Sequence, residues 1–275
     1  MFTLNCKNQL LKISEPIVMG IINITPDSFY SKSRVTENST IIQQAEKMLF
    51  DGATILDIGG QSTRPGSTYL SADEELQRII PAVKALCKKF PSAIISIDTF
   101  YSKVAKAAVE EGCTIVNDIS AGEMDSEMFA TVSSLKVPYI LMHMQENPST
   151  MQKNPTYKNV TDEVCQFLKI KIDTAEKAGI KELIIDPGFG FGKTIEHNFQ
   201  LLKNLSNFKK LGKPILAGLS RKSMINKLLN IEPEEALNGT TALNMLALMK
   251  GASILRVHDV KEAKQTIQLF SAVQQ

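Results

Sequence analysis

The sequence predicts an α/β fold, and within that class a (β/α)8 barrel of the TIM type with a short N-terminal β-hairpin. Three observations lead there. Short runs rich in Ile, Val and Leu recur eight times, at residues 17–25, 54–60, 93–99, 114–120, 138–144, 182–188, 214–220 and 252–258. Helical patterns separate them, at 39–52, 72–90, 101–112, 125–135, 160–179, 195–211, 221–229, 233–251 and 260–272. Glycines at Gly52, Gly112, Gly179, Gly212 and Gly251 mark helix ends.

Each element has a local reason. The apolar runs show little polar alternation, which suits parallel strands covered on both faces. Their starts are about 34 residues apart, one βα unit each. Eight such units close a barrel, whereas a doubly wound sheet would not need that number. Ser39 is a plausible cap for the first helix and Gly52 its stop. Residues 2–4 and 9–13, around Lys7-Asn8, read as a hairpin that could plug the N-terminal mouth of the barrel. The whole chain, 1–275, reads as one domain. Three connections are long, 26–38, 61–71 and 145–159, and long loops in a compact domain are usually functional or mobile.

Composition narrows the function. The chain has 275 residues, 43% hydrophobic and 22% charged, with a net charge of +2. That suits a globular protein and gives no basic surface for nucleic acid. Four cysteines, Cys6, Cys87, Cys113 and Cys165, form no C-x-x-C pair and read as reduced cytosolic thiols. The first 14 residues lack the apolar core of a secretory signal, and no run approaches the roughly 20 apolar residues of a membrane span. A cytoplasmic protein with small-molecule partners is expected.

In a barrel of this kind the active site lies at the C-terminal ends of the strands. Those positions hold Asn23 and Thr25, Asp57, Asp98, Asn117 and Asp118, His143, Asp186, Ser220 with Arg221 and Lys222, and Arg256 with His258. Bland readings compete. Asp98-Thr99 could simply cap the next helix. His143, within Leu-Met-His-Met, reads first as a core histidine, and His197 as a surface residue on a helix. Arg256 and His258, two residues apart, share a face and need an anion or an acid partner.

Asp186-Pro-Gly-Phe-Gly-Phe-Gly-Lys193 is not a phosphate loop, because Pro187 and Lys193 stand where glycines would be required. Its glycines suit close backbone approach to a flat ligand, with Phe191 as a wall. Ser220-Arg221-Lys222 opens a helix whose free N–H groups would suit a carboxylate or phosphate. Three scattered histidines make a poor zinc site. Isolated Asn and Asp oxygens suit Mg²⁺ held mainly through water and substrate phosphates.

Taken together, these segments resemble the dihydropteroate synthase family. Met19-Gly-Ile-Ile-Asn-Ile-Thr-Pro-Asp-Ser-Phe29 resembles its first signature and Asp57-Ile-Gly-Gly-Gln-Ser-Thr-Arg-Pro-Gly66 its second. Ser96-Ile-Asp-Thr99, Val116-Asn-Asp-Ile119, Leu141-Met-His-Met144, the 186–193 segment, Gly218-Leu-Ser-Arg-Lys222 and Arg256-Val-His258 follow in order. Such enzymes join p-aminobenzoate to 7,8-dihydropterin-6-ylmethyl diphosphate, releasing pyrophosphate and forming 7,8-dihydropteroate on the route to folate. The resemblance implies a pterin-binding barrel, Mg²⁺ dependence, a homodimer and ionisation of the carbon–oxygen bond before the amine attacks.

It also implies roles residue by residue. Asn23 is similar to the Mg²⁺ and diphosphate ligand. Arg256 and His258 resemble the diphosphate pocket, with Thr63 and Arg64 closing over it. Asp98, Asn117, Asp186 and Lys222 resemble the set that reads the pterin edge, and Met142 its apolar wall. Ser220 resembles the p-aminobenzoate carboxylate site, with Phe29, Thr63, Pro65 and Phe191 around the ring. Asp98, Lys222, Arg256 and His258 are the expected catalytic set. Sulfonamides, as p-aminobenzoate analogues, should compete at the Ser220 site.

The chain departs from the family pattern at two places. Tyr30-Ser-Lys-Ser-Arg34 replaces a common Ser-Asp-Gly-Gly, and Gln61 stands where Glu is common. A methyltetrahydrofolate:corrinoid methyltransferase shares the pterin barrel but does not need the Ser62–Pro65 loop or the Arg256/His258 pair. A non-catalytic pterin binder would be free to lose Asp98 or the anion pocket, and neither is lost. Residues 240–249 are apolar nearly all round, consistent with a dimer face or with deep packing.

Overall fold

A computed structural model describes residues 1–7, 9–24, 34–61, 69–146, 150–152 and 154–274, with the backbone alone for 34–38. The N-terminal hairpin pairs β1 (Phe2–Cys6) with β2 (Gln9–Ile13). Then come β3 (Ile17–Asn23), α1 (Arg34–Phe50), β4 (Ile55–Gly59), α2 (Ala72–Lys89), β5 (Ile94–Asp98), α3 (Ser102–Glu110), β6 (Ile115–Asp118), α4 (Met128–Leu135) and β7 (Tyr139–Met142). The chain continues through α5 (Val160–Lys177), β8 (Leu183–Asp186), α6 (Ile195–Lys203), β9 (Leu216–Ala217), α7 (Ser223–Leu229), α8 (Leu237–Met249), β10 (Ile254–Val257) and α9 (Val260–Gln274).

The eight strands from β3 onward form one parallel sheet, ordered β8-β7-β6-β5-β4-β3-β10-β9. A parallel bridge between Ile185 and Ile215 joins the two ends, so the sheet closes on itself. The expected barrel and hairpin are both present.

Strand register decides what faces the interior. Take as equivalents the inward residues Met19, Ile55, Ile94, Ile115, Ile140, Ile184, Leu216 and Ile254. Pairing matches them directly at four junctions and steps by two residues at the other four: Ser96 opposite Ile115, Asn117 opposite Ile140, Ile185 opposite Ile215, and Arg256 opposite Met19. Four steps of two give the shear of eight expected for such a barrel. With that shear, alternate strands supply each interior layer.

The layers follow from counting in twos. The lowest complete layer is Ile55, Ile115, Ile184 and Ile254, all fully buried. Above it lie Met19, Ser96, Ile140 and Leu216. Next come Asp57, Asn117, Asp186 and Arg256, and above those Ile21, Asp98, Met142 and Gly218. Leu4, Cys6, Leu11 and Ile13 of the hairpin pack under the isoleucine layer, and so plug the N-terminal mouth.

Several expected boundaries moved. The first helix starts at Arg34, so Ser39 lies inside it and is not its cap. No Gly or Pro interrupts residues 34–39, and the helix simply runs on. The 195–211 pattern is a helix only to Lys203, followed by a 3-10 segment, Leu205–Leu211, ending at left-handed Gly212. The 233–251 pattern splits into a 3-10 turn, Pro233–Glu235, and α8. α7 begins at Ser223 with Lys222 as its cap, two residues later than expected.

Candidate active site

Parity along the strands collects most of the predicted residues at one end of the barrel. Arg256 Nε donates to Asp57 Oδ2 at 2.6 Å, and its Nη2 donates to Asp98 Oδ2 at 2.5 Å. Asn117 Nδ2 donates to the same Asp57 oxygen at 3.0 Å. One guanidinium therefore ties three strands together across the interior. Asp57 is fully buried, and its Oδ1 has no hydrogen-bond partner among the described residues. Asp57 was visible as a strand-end carboxylate but received no role from the resemblance. Its fixed place two residues above Ile55 was the signal.

Electrostatics follow from this crowding. Burial pushes the Asp98 carboxyl up to about 7, against the pull of Arg256, and Asp57, Asp118 and Asp186 add to the rise. Burial also raises Asp186, against the attraction of Lys222. Arg256 stays charged because Asp57 and Asp98 outweigh the burial that opposes its charge. Lys222 falls to about 8 by burial, with Asp186 resisting. It donates to the Phe189 carbonyl, and its ammonium lies 4.4 Å from the Phe191 ring centroid.

The bland readings separate here. Asp98 does not cap α3. The helix has Tyr101 as its cap residue, Thr99 Oγ1 accepts from Tyr101 N–H, and Asp125 Oδ2 accepts from Ser102 N–H at 2.7 Å. Asn117 and Asp118 point to opposite faces. Asp118 turns outward and accepts from Ser120, Gly122 and the Tyr139 hydroxyl. His143 is a buried core histidine, edge-on to Phe167, and burial lowers it to about 2. His197 is half-buried rather than on the surface, because it completes a capping box with Thr194 and stacks edge-on against Tyr157.

Arg256 and His258 share a face, yet each has its own partner. His258 Nδ1 and Ser220 Oγ are 2.9 Å apart, and Ser220 Oγ accepts from the His258 N–H at 3.2 Å. His258 keeps an exposed edge, yet desolvation of its ring, then the charge of Arg256, lowers it to about 4. Arg221 leaves the site and forms a bidentate pair with Asp259 at 2.8 and 2.9 Å.

The glycine-rich segment is organised by a residue the sequence reading passed over. Lys193 Nζ donates to the carbonyls of Gly188 at 2.8 Å and Phe191 at 2.9 Å, and lies 3.0 Å from His143 Nδ1. Gly188 has a left-handed φ of +71°, and a Cβ there would lie 1.9 Å from the His143 carbonyl oxygen. Only glycine allows the segments that follow β7 and β8 to approach so closely. Lys193 was legible in principle as a lone Lys after a glycine run, but its internal target was not.

Met142 and Phe191 join one apolar cluster with Phe100, Ile119, Met144 and Met151 beside the polar layers. Asn23 ends β3 and is exposed. Thr25, Phe29, Tyr30, Thr63, Arg64 and Pro65 lie outside the described residues. Among the described residues no three His, Cys, Asp or Glu side chains gather as a metal site.

This end of the barrel thus combines buried polar layers, an apolar cluster and the two cationic side chains Lys222 and Arg256. It can bind a flat, hydrogen-bonding heterocycle and an anionic group together. The comparisons with known proteins agree. The pterin binding enzyme family model matches residues 19–258. The dihydropteroate synthase of Escherichia coli strain K12 is 45% identical over 266 residues, covering 95% of this chain and 93% of that one. A Xanthomonas albilineans dihydropteroate synthase solved with 4-aminobenzoic acid is 41% identical, with TM-score 0.92 over 99% of this chain and 98% of that one. One from the same organism in complex with 7,8-dihydropteroate has 39% identity and TM-score 0.89, over 99% of each chain. The chain belongs to the dihydropteroate synthase family of pterin-binding enzymes.

Proposed function

We propose that this protein condenses p-aminobenzoate with 7,8-dihydropterin-6-ylmethyl diphosphate, giving 7,8-dihydropteroate and pyrophosphate for folate biosynthesis. The observation that carries the reading is the Asp57–Arg256–Asp98 cluster beside Asn117, Asp186 and Lys222. It offers carboxylates, an amide and an ammonium to the edge of a planar ring, with Met142 on an apolar flank. In this reading Asp98, Asn117, Asp186 and Lys222 hold the pterin. When the carbon–oxygen bond ionises, positive charge spreads into the ring, and the fixed carboxylates of Asp98 and Asp186 favour it. Arg256 and His258, with Asn23, Thr63 and Arg64, bind the departing diphosphate. Ser220 takes the p-aminobenzoate carboxylate, and Phe29, Thr63, Pro65 and Phe191 flank its ring.

Mg²⁺ belongs to this proposal. The exposed Asn23 amide oxygen is a neutral, hard donor and suits an ion bound mostly by water and diphosphate oxygens. Such an ion supplies Lewis-acid neutralisation of the leaving group. A homodimer is proposed through α8 and α9, which pack together and expose Leu246, Met249, Leu269 and Val273. A monomeric mass by light scattering at micromolar concentration would remove it. The proposed cytoplasmic location rests on the small-molecule substrates and four free cysteines. Sulfonamide competition against p-aminobenzoate is expected.

The direct test incubates the purified chain with both substrates and Mg²⁺ and measures pyrophosphate and dihydropteroate together. Equal amounts of both, abolished by EDTA, support the activity and the metal. Pterin binding without either product would overturn the activity.

A further inference from the structure

Gln61, the departure in the second signature, sits two residues past β4, where the connection to α2 begins. Its side-chain amide makes a reciprocal pair with one peptide group. Leu70 N–H donates to Gln61 Oε1 at 3.1 Å, and Gln61 Nε2 donates to the Leu70 carbonyl at 3.0 Å. The same Nε2 reaches Glu75 Oε2 at 3.4 Å. Turning the amide over would set its oxygen against two acceptors, so the orientation is determined.

Glu75 is fully buried on α2, and its Oε2 also accepts from Thr99 Oγ1 at 3.2 Å. It comes this close because β4 is followed by Gly60, where a Cβ would lie 2.7 Å from Ile79 of α2. Tyr101 donates to the Leu70 carbonyl at 2.9 Å, and Arg78 donates to the Gly60 carbonyl at 2.9 Å. Both ends of the connection are thus held by side chains from α2, Gln61 and the turn into α3.

We propose that Gln61 is a positioning residue for the proposed reaction: paired with the Leu70 peptide and oriented by Glu75, it closes the base of the 62–69 connection that carries Thr63, Arg64 and Pro65. The inference rests on the synthase reading for its kinetic consequence, but not for the clamp itself. It explains why an amide can stand where a carboxylate is common. Gln supplies a donor and an acceptor at every pH. Glu supplies the donor only when protonated. The charged or titratable groups facing this point are Glu75 and Arg78 on α2, Asp98 on β5 and Tyr101 before α3. Three of the four would be negative or neutral, so a second carboxylate here would resist ionisation and then open the clamp once ionised.

The experiment compares wild type, Q61E and Q61L, each first checked for a cooperative thermal melt. The steady-state rate is measured from about pH 6 to about pH 9, with p-aminobenzoate and the pterin diphosphate varied in turn. For Q61E, kcat/KM for p-aminobenzoate should stay within about twofold of wild type at the acid end and fall about tenfold below it at the alkaline end. Q61L should be low throughout. Superimposable pH profiles for Q61E and wild type would overturn the proposal. Hydrogen exchange at the Leu70 amide tests the clamp without catalysis. Protection in wild type and about tenfold faster exchange in Q61L support it, and equal exchange overturns it. Failure of wild type to make dihydropteroate would sink the activity and leave this second measurement standing.

Discussion

Two halves of the same barrel differ by a two-residue step along each strand. Ile55, Ile115, Ile184 and Ile254 fill the lower layer; Asp57, Asn117, Asp186 and Arg256 fill the layer one such step above on the same strands. The backbone is common to both. The lower half rests on burial of apolar side chains, at roughly 1.5–3 kcal/mol each. The upper half gains little from its ion pairs, because desolvation offsets their attraction. It keeps polar groups in a dry, fixed arrangement where they can act on developing charge. Stability and chemistry are thus stacked along the axis, and substitutions in the two layers should fail in different ways.

The largest effect is expected for Arg256→Ala. It would leave fully buried Asp57, and Asp98 beside it, without their cation. The rate should drop by about a hundredfold or more, and stability should fall by about 3 kcal/mol. Product formation and urea unfolding measure the two. An unchanged rate would remove the diphosphate role.

Ile254→Ala, on the same strand and one step lower, should also cost about 3 kcal/mol by opening a cavity. The rate per folded molecule should stay within about twofold of wild type. Equal catalytic loss in both variants would erase the distinction between the layers.

The polar half should also show itself through pH. His258 falls to about 4 in the fold, so the folded state favours its neutral form. Its contribution is present above the unfolded value of 6.5 and is lost as pH falls toward about 4. His258→Asn should therefore gain stability relative to wild type as pH drops through that window. Glu75 behaves oppositely. Burial pushes it up to about 7, so its contribution is full below 4.5 and lost as pH rises through about 7. Glu75→Gln should gain on wild type as pH rises. Unfolding midpoints measured across pH would reveal either slope, and flat differences would refute both assignments.

The smallest effect is expected outside the barrel interior. Tyr139→Phe removes the hydroxyl that donates to Asp118 at 2.5 Å, and should cost about 1 kcal/mol. The rate should not change, because Asp118 faces the helices. A catalytic loss there would mean that the outward layer shapes the site after all.

Much of this was legible beforehand. Eight apolar runs announced the eight strands, and one step of two from Ile55, Ile115, Ile184 or Ile254 reaches Asp57, Asn117, Asp186 or Arg256. The same parity should have separated Asn117 from Asp118. Helix ends were less legible, because α1 continues N-terminal to Ser39 with no local signal to stop it. Lys193 was passed over because its partners are backbone carbonyls and a histidine fifty positions back. No spacing rule reports such partners.

Composition, periodicity and strand parity determined the barrel, the plugging hairpin and the end at which polar groups collect. These are local properties, set by alternation of side chains along a strand and by where glycine ends a helix. Tertiary structure alone decided the partners: Arg256 with Asp57 and Asp98, Ser220 with His258, Lys193 with the 188–191 carbonyls, and Gln61 with Leu70. Those pairs depend on register around the closed sheet, where a shear of eight sets which side chains share a layer. Register is a sum over all eight junctions, and no single segment of the chain contains it.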